Sequence, residues 1–384
     1  MRPSLARVYR IKSFTLIFQH KPSFVAANHH QRTPIYFSSL SSSCPNLQIR
    51  KPQTPLFLRA ASYSATLPDL KKWHQWATSL ASSVGSTLVD LDNGPDSTLL
   101  LRELNWLIQD SFQDHHNSFI PQLPTTEFTR TRVDSQVVKL RVGLDELYRL
   151  WRQRVEERRP FQYIVGCEHW RDLVLSVEDG VLVPRPETEL IVDLVSNVLL
   201  KESNRGLRDG LWADLGTGSG ALAIAIGRLL GKHGRVIATD LSPVAVAVAT
   251  FNVQRYALQD VVDVRQGSWF EPLKDLEGKL GGIISNPPYI PSNHISGLQA
   301  EVGRHEPRLA LDGGFNGMDD LLHICNGAAS FLKPAGFFAF ETNGLEQCKF
   351  LVDYMDRNIK GSICNVSIVS DFAGIPRFVT GFRQ

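Results

Sequence analysis

From residue 187 to the end of the chain, short apolar runs alternate with stretches in which apolar residues recur at helical spacing. The runs predict strands at 211–215, 235–239, 261–265, 282–285, 336–341, near 366–370 and at 377–382, with helices between them at about 219–230, 243–257, 318–332 and 344–358. Regular alternation of this kind builds a mostly parallel sheet, here seven-stranded, with helices on both faces. Ligands of such sheets sit outside the carboxyl ends of the strands, so candidate chemistry is sought in the loops that follow strands.

Upstream, residues 69–160 have a helical texture. Leu144, Leu147, Tyr148, Trp151 and Val155 draw one stripe on a helix, with Asp145, Arg149, Arg152 and Glu156 largely off it. Leu101, Leu104, Leu107 and Ile108 draw a second, and the His, Pro and Thr of 113–131 predict an irregular connection. Short apolar runs at 163–165, 173–177 and 181–183, separated by turn signals, predict a β-hairpin linker over 161–186 between this small helical bundle and the domain at 187–384.

Charge divides the chain differently. Residues 1–68 contain nine basic residues (Arg2, Arg7, Arg10, Lys12, Lys21, Arg32, Arg50, Lys51, Arg59), a Ser-rich middle, several prolines and no Asp or Glu. That composition matches an organellar transit peptide, disordered and removed after import to a matrix or stroma; the alternative is a basic arm kept for an anionic partner. The early arginines lean toward a mitochondrion over a chloroplast. Setting this segment aside leaves 32 basic against 39 acidic residues, a net of −7 within a chain whose total is +2. A body so charged is a poor candidate for bulk nucleic-acid binding, and no direct nucleic-acid contact is expected. Apolar runs stay well short of the roughly 18 residues of a membrane span, so no stable membrane association is expected. Cys44, Cys167, Cys325, Cys348 and Cys364 show neither a CxxC pair nor a metal spacing. They are expected to be reduced, mostly buried thiols, and no metal is expected.

Two loops carry chemistry. Asp214-Leu215-Gly216-Thr217-Gly218-Ser219-Gly220 follows the first strand of the alternating region and opens a helix, where glycines permit a tight turn and free N–H groups face a ligand. Asp240 ends the next strand, 20 residues past Gly220, where a carboxylate can accept from both ribose hydroxyls. A nucleoside cofactor is indicated; Gly216, Gly218 and Ala221 also satisfy the looser dinucleotide fingerprint, so its identity stays open at this point. The second loop, Asn286-Pro287-Pro288-Tyr289, follows the fourth strand. Two prolines hold the Asn286 amide and the Pro287 carbonyl in a restricted arrangement, and Tyr289 adds a flat face. A planar NH2 group can give one hydrogen to each acceptor while resting on Tyr289, which aims its lone pair at an electrophile. That suits methyl transfer from a sulfonium to a barely basic nitrogen, where positioning and charge-responsive acceptors do the work.

On these residues the chain resembles the HemK/PrmC family of S-adenosylmethionine-dependent methyltransferases. The resemblance extends to Arg159-Pro160-Phe161-Gln162-Tyr163-Ile164-Val165-Gly166, Val183-Pro184-Arg185-Pro186-Glu187-Thr188-Glu189, Gly267-Ser268-Trp269-Phe270, Glu306-Pro307-Arg308-Leu309-Ala310-Leu311 and the closing 371–381. It implies a class I, Rossmann-like methyltransferase fold preceded by a small helical bundle. It also implies N5-methylation of a glutamine in a peptide-chain release factor, which is the expected partner, gripped by the bundle at 69–160. S-adenosylmethionine is the implied cofactor, with Gly216, Thr217, Gly218, Ser219 and Gly220 at its methionine end, Asp240 at the ribose and Trp269 beside the adenine. Asn286, Pro287, Pro288 and Tyr289 would hold the glutamine amide, with Asn286 also near the methyl donor. Arg185, Glu187 and Thr188 are expected to line or brace the pocket, and Glu306 and Arg308 to form a loop near the substrate, or else a plain surface ion pair. Rival readings are an N-methyltransferase acting on adenine, cytosine or another protein, and a cofactor-binding assembly factor without turnover.

Overall fold

The computed structural model describes residues 52–113 and 137–384. The address expected over 1–68 therefore lies outside the described residues as far as 51, as does the irregular connection expected over 113–131 from 114 onward.

What is described of 52–68 is folded, which moves the expected boundary. Leu56 is fully buried, and strand β1 (Tyr63–Thr66) pairs antiparallel with β2 (Val137–Leu140), a strand inside the region expected to be all helical. Between the two run α1 (Leu67–Ser83), α2 (Thr87–Asp92) and α3 (Ser97–Ser111). Two of these helices have side-chain caps: Thr66 Oγ1 accepts from the Asp69 N–H at 3.3 Å, and Asp96 Oδ1 from the Leu99 N–H at 2.7 Å. Helix α4 (Leu144–Val155) completes the bundle, its Leu147, Leu150, Trp151 and Val155 buried against Trp73, Ala77, Leu100, Leu104 and Leu107. The buried stripe of α3 thus starts at Leu100 and continues through Leu104, Leu107 and Ile108, with Leu101 only half-buried.

The 163–165 run, expected as strand, is part of a short helix, α5 (Phe161–Val165). Pro160 starts it and Gly166, at φ 76°, ends it in the left-handed conformation that favours glycine. The hairpin consists of β3 (Cys167–Trp170) and β4 (Leu173–Ser176) alone, and the 181–183 run is a strandless connection. Asn252 clasps this hairpin from a later helix. Asn252 Oδ1 accepts from the Ser176 N–H at 2.8 Å, and its Nδ2 donates to the Ser176 and Ser219 carbonyls at 3.0 and 2.9 Å.

The remaining chain runs α6 (Glu189–Leu199), β5 (Leu211–Leu215), α7 (Ala221–Leu230), β6 (Arg235–Asp240), α8 (Pro243–Arg255), β7 (Val262–Gln266), β8 (Leu280–Ser285), α9 (Ala300–Gly303), α10 (Asp319–Phe331), β9 (Leu332–Glu341), α11 (Leu345–Asn358), β10 (Ile363–Ser370) and β11 (Pro376–Arg383). The strands form one seven-stranded sheet in the order β10-β11-β9-β8-β5-β6-β7, with β11 antiparallel to both neighbours and the rest parallel. This is the seven-stranded, mostly parallel, Rossmann-like sheet that the resemblance implies. Because side chains alternate along a strand, Trp212, Phe337 and Ala339 face α6 and α7, whereas Ala213, Phe338 and Phe340 face α10 and α11. The order reverses between β5 and β8, so the loops after these two strands open onto one crevice.

Bundle and sheet domain are joined by buried charge. Arg154, 3% exposed, donates to both oxygens of Glu103 (2.6 and 3.2 Å) and to Glu301 of α9 (3.0 Å). Arg158 donates to Glu301 and to Asp92 (3.0 Å), and Asp92 in turn accepts from the Ala300 N–H (2.8 Å). Removing one member of such a cluster strands its partners, at a cost of about 3–5 kcal/mol, whereas an exposed pair such as Arg149–Glu146 contributes at most about 1 kcal/mol. Denaturant titration should therefore show Arg154→Ala losing about 3 kcal/mol or more and Arg149→Ala almost nothing; equal losses would remove the joint from the stability of the fold.

Candidate active site

At the carboxyl end of β5 the chain turns through Gly216 (φ 71°) and Gly218 (φ 56°). The N–H groups of Gly216 and Thr217 both donate to the Thr239 carbonyl at 2.9 Å, which ties the loop to the end of β6. A side chain at Gly216 would be strained at this φ and would touch the Trp269 ring, 3.4 Å from where its Cβ would lie. Gly220 has a different duty from the one expected. Its α-carbon faces Ala249 of α8, with 3.3 Å left for a Cβ, so it is the point of close approach of α7 to α8. It is not part of the cavity lining, which Gly216, Thr217, Gly218 and Ser219 share with Asp240, Trp269, Asn286 and Pro288.

Beneath the loop lies Asp214, 1% exposed. Its Oδ2 accepts from Thr217 Oγ1 at 2.6 Å and from the Ala223 N–H at 3.0 Å, while its buried Oδ1 has no partner. Burial pushes this carboxyl up to about 7, against the two hydrogen bonds. A buried acceptor without a partner beside a cavity calls for a cationic donor, and the ammonium of a methionine is one. Asp240 accepts from the Gly218 N–H at 2.8 Å and the Ser242 N–H at 2.9 Å, and burial raises its pKa as well. Its carboxylate retains the acceptor capacity for ribose hydroxyls. Trp269, with φ 44°, and the neighbouring Asp320 complete that side of the cavity. The residues present thus fit S-adenosylmethionine: an acid for its amine, an acid for its ribose and a ring for its base.

The second loop begins where Ser285 Oγ donates to the Leu215 carbonyl at 2.7 Å, which holds the ends of β8 and β5 together. Asn286 Nδ2 donates to Thr188 Oγ1 at 3.0 Å, which leaves Oδ1 as the amide's open end. Thr188 Oγ1 donates to Glu341 Oε2 at 2.7 Å, and the Tyr289 hydroxyl donates to Glu341 Oε1 at 3.2 Å. Asn286 and Pro288 line the cavity, whereas buried Pro287 and half-buried Tyr289 stand behind that lining. Burial pushes Glu341 up to about 7 and raises the Tyr289 hydroxyl further above its ordinary range. Arg185 and Glu306 form an ion pair whose acid is buried, beside the cavity that Arg185 lines. Arg308 is paired with Asp312 at the surface, 2.8 Å away.

Asp214 and Glu341 are site residues that the motifs alone do not assign. Each ends, or nearly ends, a strand and follows a buried apolar run, Trp212 and Ala213 in β5 and residues 336–340 in β9. That is the signal that marks them: an acid at the carboxyl end of a parallel strand is costly unless a ligand or a hydroxyl answers it. Among the described residues no cluster of metal-ligating side chains is found, and no helix is long and apolar enough to cross a membrane. Cys167, Cys325 and Cys348 are buried free thiols; Cys364 is partly exposed, and Cys44 lies outside the described residues.

Residues 188–301 match the methyltransferase small domain family. The release factor glutamine methyltransferase of Synechocystis sp. is 38% identical over 278 residues, covering 72% of this chain and 88% of that protein. Its counterpart in Thermosynechococcus vestitus is 38% identical over 272 residues, covering 71% of this chain and 84% of that protein. The Gloeobacter violaceus protein of the same name is 41% identical over 238 residues, covering 62% and 79%.

The open oxygen of Asp214 makes a stability and binding trade measurable. Its pKa is raised from an unfolded value of about 4, so its stabilising contribution is complete below that pH and is lost as pH rises through about 7. Without cofactor, Asp214→Asn should melt a few degrees above the wild type at pH 8, with the gap closing as pH is lowered toward 4. The same variant should bind S-adenosylmethionine at least about tenfold more weakly by titration calorimetry, having lost a charge-assisted partner. Wild-type affinity in the variant would remove Asp214 from the cofactor site.

Proposed function

The chain belongs to the family of release factor glutamine methyltransferases, and we propose on that premise that it methylates the side-chain nitrogen N5 of a glutamine in a peptide-chain release factor of an organelle. The observation that carries this reading is the Asn286 amide. It is anchored through its NH2 group to Thr188, and its oxygen is left open at a cavity shared with the glycine loop. S-adenosylmethionine supplies the methyl group on a sulfonium. The chain's own residues hold the acceptor. A glutamine NH2 donates to Asn286 Oδ1, while Pro287 and Tyr289, behind the lining, brace the loop, the Tyr289 ring fixed by its hydroxyl. An amide nitrogen is barely basic, so no residue needs to deprotonate it first. As the new N–C bond forms, positive charge grows on nitrogen and its hydrogen bond to Asn286 Oδ1 strengthens, which favours the transition state over the bound substrate. The strongly acidic N–H that results gives its proton to solvent.

The bundle, through α9, reaches the loop that follows Tyr289, which supports its role as the grip on the release factor. Counting the body from buried Leu56 keeps Arg59 with it and gives 33 basic and 39 acidic residues, a net of −6. That charge favours encounter with a basic, RNA-binding protein over RNA itself. The acid-free composition of 1–51 supports import into an organelle.

Incubating the protein with methyl-labelled S-adenosylmethionine and mitochondrial or plastid release factors, then mapping the label by mass spectrometry, tests the reading. Label on one glutamine is expected; label on DNA or RNA instead would overturn it. Asn286→Ala should keep cofactor affinity and lose at least about tenfold in turnover, because it removes an acceptor that acts in the transition state. Amino-terminal sequencing of protein isolated from organelles should find the chain shortened; an intact Met1 would refute the address.

A further inference from the structure

An amide side chain has two ends of similar shape and opposite polarity, so Asn286 serves the reaction in only one of its two orientations. Three residues on three separate elements decide which. Thr188, 5% exposed at the start of α6, takes the Asn286 Nδ2 hydrogen at 3.0 Å and gives its own to Glu341 Oε2 at 2.7 Å. Glu341, 1% exposed at the end of β9, takes the Tyr289 hydroxyl hydrogen on its other oxygen at 3.2 Å. Both ends of the Asn286-Pro287-Pro288-Tyr289 loop therefore hang from one carboxylate. Behind it Arg377 of β11, fixed by Asp371 at 2.9 Å, supplies a compensating positive charge.

We propose that Glu341, acting through Thr188 and Tyr289, is a positioning residue that turns the Asn286 amide oxygen toward the reacting nitrogen. This rests on the glutamine-methylating reading of the site. A hydroxyl has one hydrogen. Once Thr188 commits it to a carboxylate, only lone pairs remain for Asn286, so only the NH2 end of the amide fits there and the oxygen faces the cavity. A carboxylate can accept from both hydroxyls at once. A glutamine at 341 has one acceptor, so Thr188 or Tyr289 would have to turn its hydrogen elsewhere. If Thr188 turned, its hydrogen would meet Asn286 and draw the amide oxygen away from the cavity. An Asn286 flipped in this way would present NH2 to the substrate's NH2, donor against donor.

The test is a double-mutant cycle on methylation of the release factor, with kcat, KM and cofactor affinity measured for each protein. Thr188→Val, close in shape but unable to accept, should lower kcat about tenfold with cofactor affinity unchanged, and Thr188→Ser should restore kcat to within about twofold. In an Asn286→Ala background Thr188→Val should change kcat no further, since no amide is left to orient. A Thr188→Val enzyme with wild-type kcat, or one that loses the same factor in both backgrounds, would overturn the proposal. If Thr188→Val fails to bind cofactor, Glu341→Gln takes its place in the cycle: a loss of kcat confined to the Asn286 background supports the proposal, and no loss, or an equal loss in both backgrounds, overturns it. Failure of the underlying reading looks different: the wild-type protein then leaves the release factor unlabelled, and the cycle is run on whichever acceptor it does methylate.

Discussion

The parallel pairing of β5 with β8 is the constraint on which the site depends. The two strands end level, Leu215 opposite Ser285, and the Ser285 hydroxyl closes onto the Leu215 carbonyl. Past that point one chain must turn toward α7 and the other away from it, because the strand order reverses there. A crevice is the result, and its two walls are the glycine loop and the Asn-Pro-Pro-Tyr loop. Donor and acceptor of a group transfer must lie within a few ångströms of each other. Here that proximity is a property of sheet topology, already present before either ligand binds.

Buried acids do the fine adjustment. Asp214 and Glu341 sit on strands that otherwise bury apolar side chains, and each has its pKa pushed up to about 7 because burial outweighs the hydrogen bonds it accepts. Neither would be retained for stability, since an apolar residue there would pack without that penalty. Their difference is instructive. Glu341 is answered on both oxygens by hydroxyls of the chain, so it organises the protein's own side chains. Asp214 is answered on one oxygen only, and the other is buried without a partner beside the cavity. The count of satisfied acceptors separates a brace from a binding group where burial and pKa direction do not.

What could be read from the sequence follows the range of the forces involved. The sheet was legible because strands buried on both faces are unbroken apolar runs, and the glycine loop because Gly216 and Gly218 answer a local demand for positive φ. The prolines marked the second loop for an equally local reason. Arg154 was not legible: on a helix next to Val155 it has the look of a solvated charge, yet it is buried because partners 51 and 147 residues away neutralise it. Glu341 was hidden for the same cause, its partners lying 52 and 153 residues away. The helix at Phe161–Val165 is a different case, since Pro160 and Gly166 bracket it in the sequence, while the β-branched and aromatic residues between them have the composition of a strand.

The joint between bundle and sheet domain shows why an ionic contact suits this place. Two arginines from the end of α4 and just beyond it meet acids from α2, α3 and α9, and the α9 backbone caps onto Asp92 as well. An apolar interface of the same area would be at least as stable, because desolvating charges offsets most of what their pairing returns. It would also tolerate sliding, since packing is weakly directional. Bidentate guanidinium contacts do not slide without breaking. Helix α9 lies in the segment between Tyr289 and the Glu306-Pro307-Arg308 turn, whose Pro307, Leu309 and Ala310 line the cavity. The bundle therefore holds, at a defined register, the segment that links the Asn-Pro-Pro-Tyr loop to this part of the cavity wall.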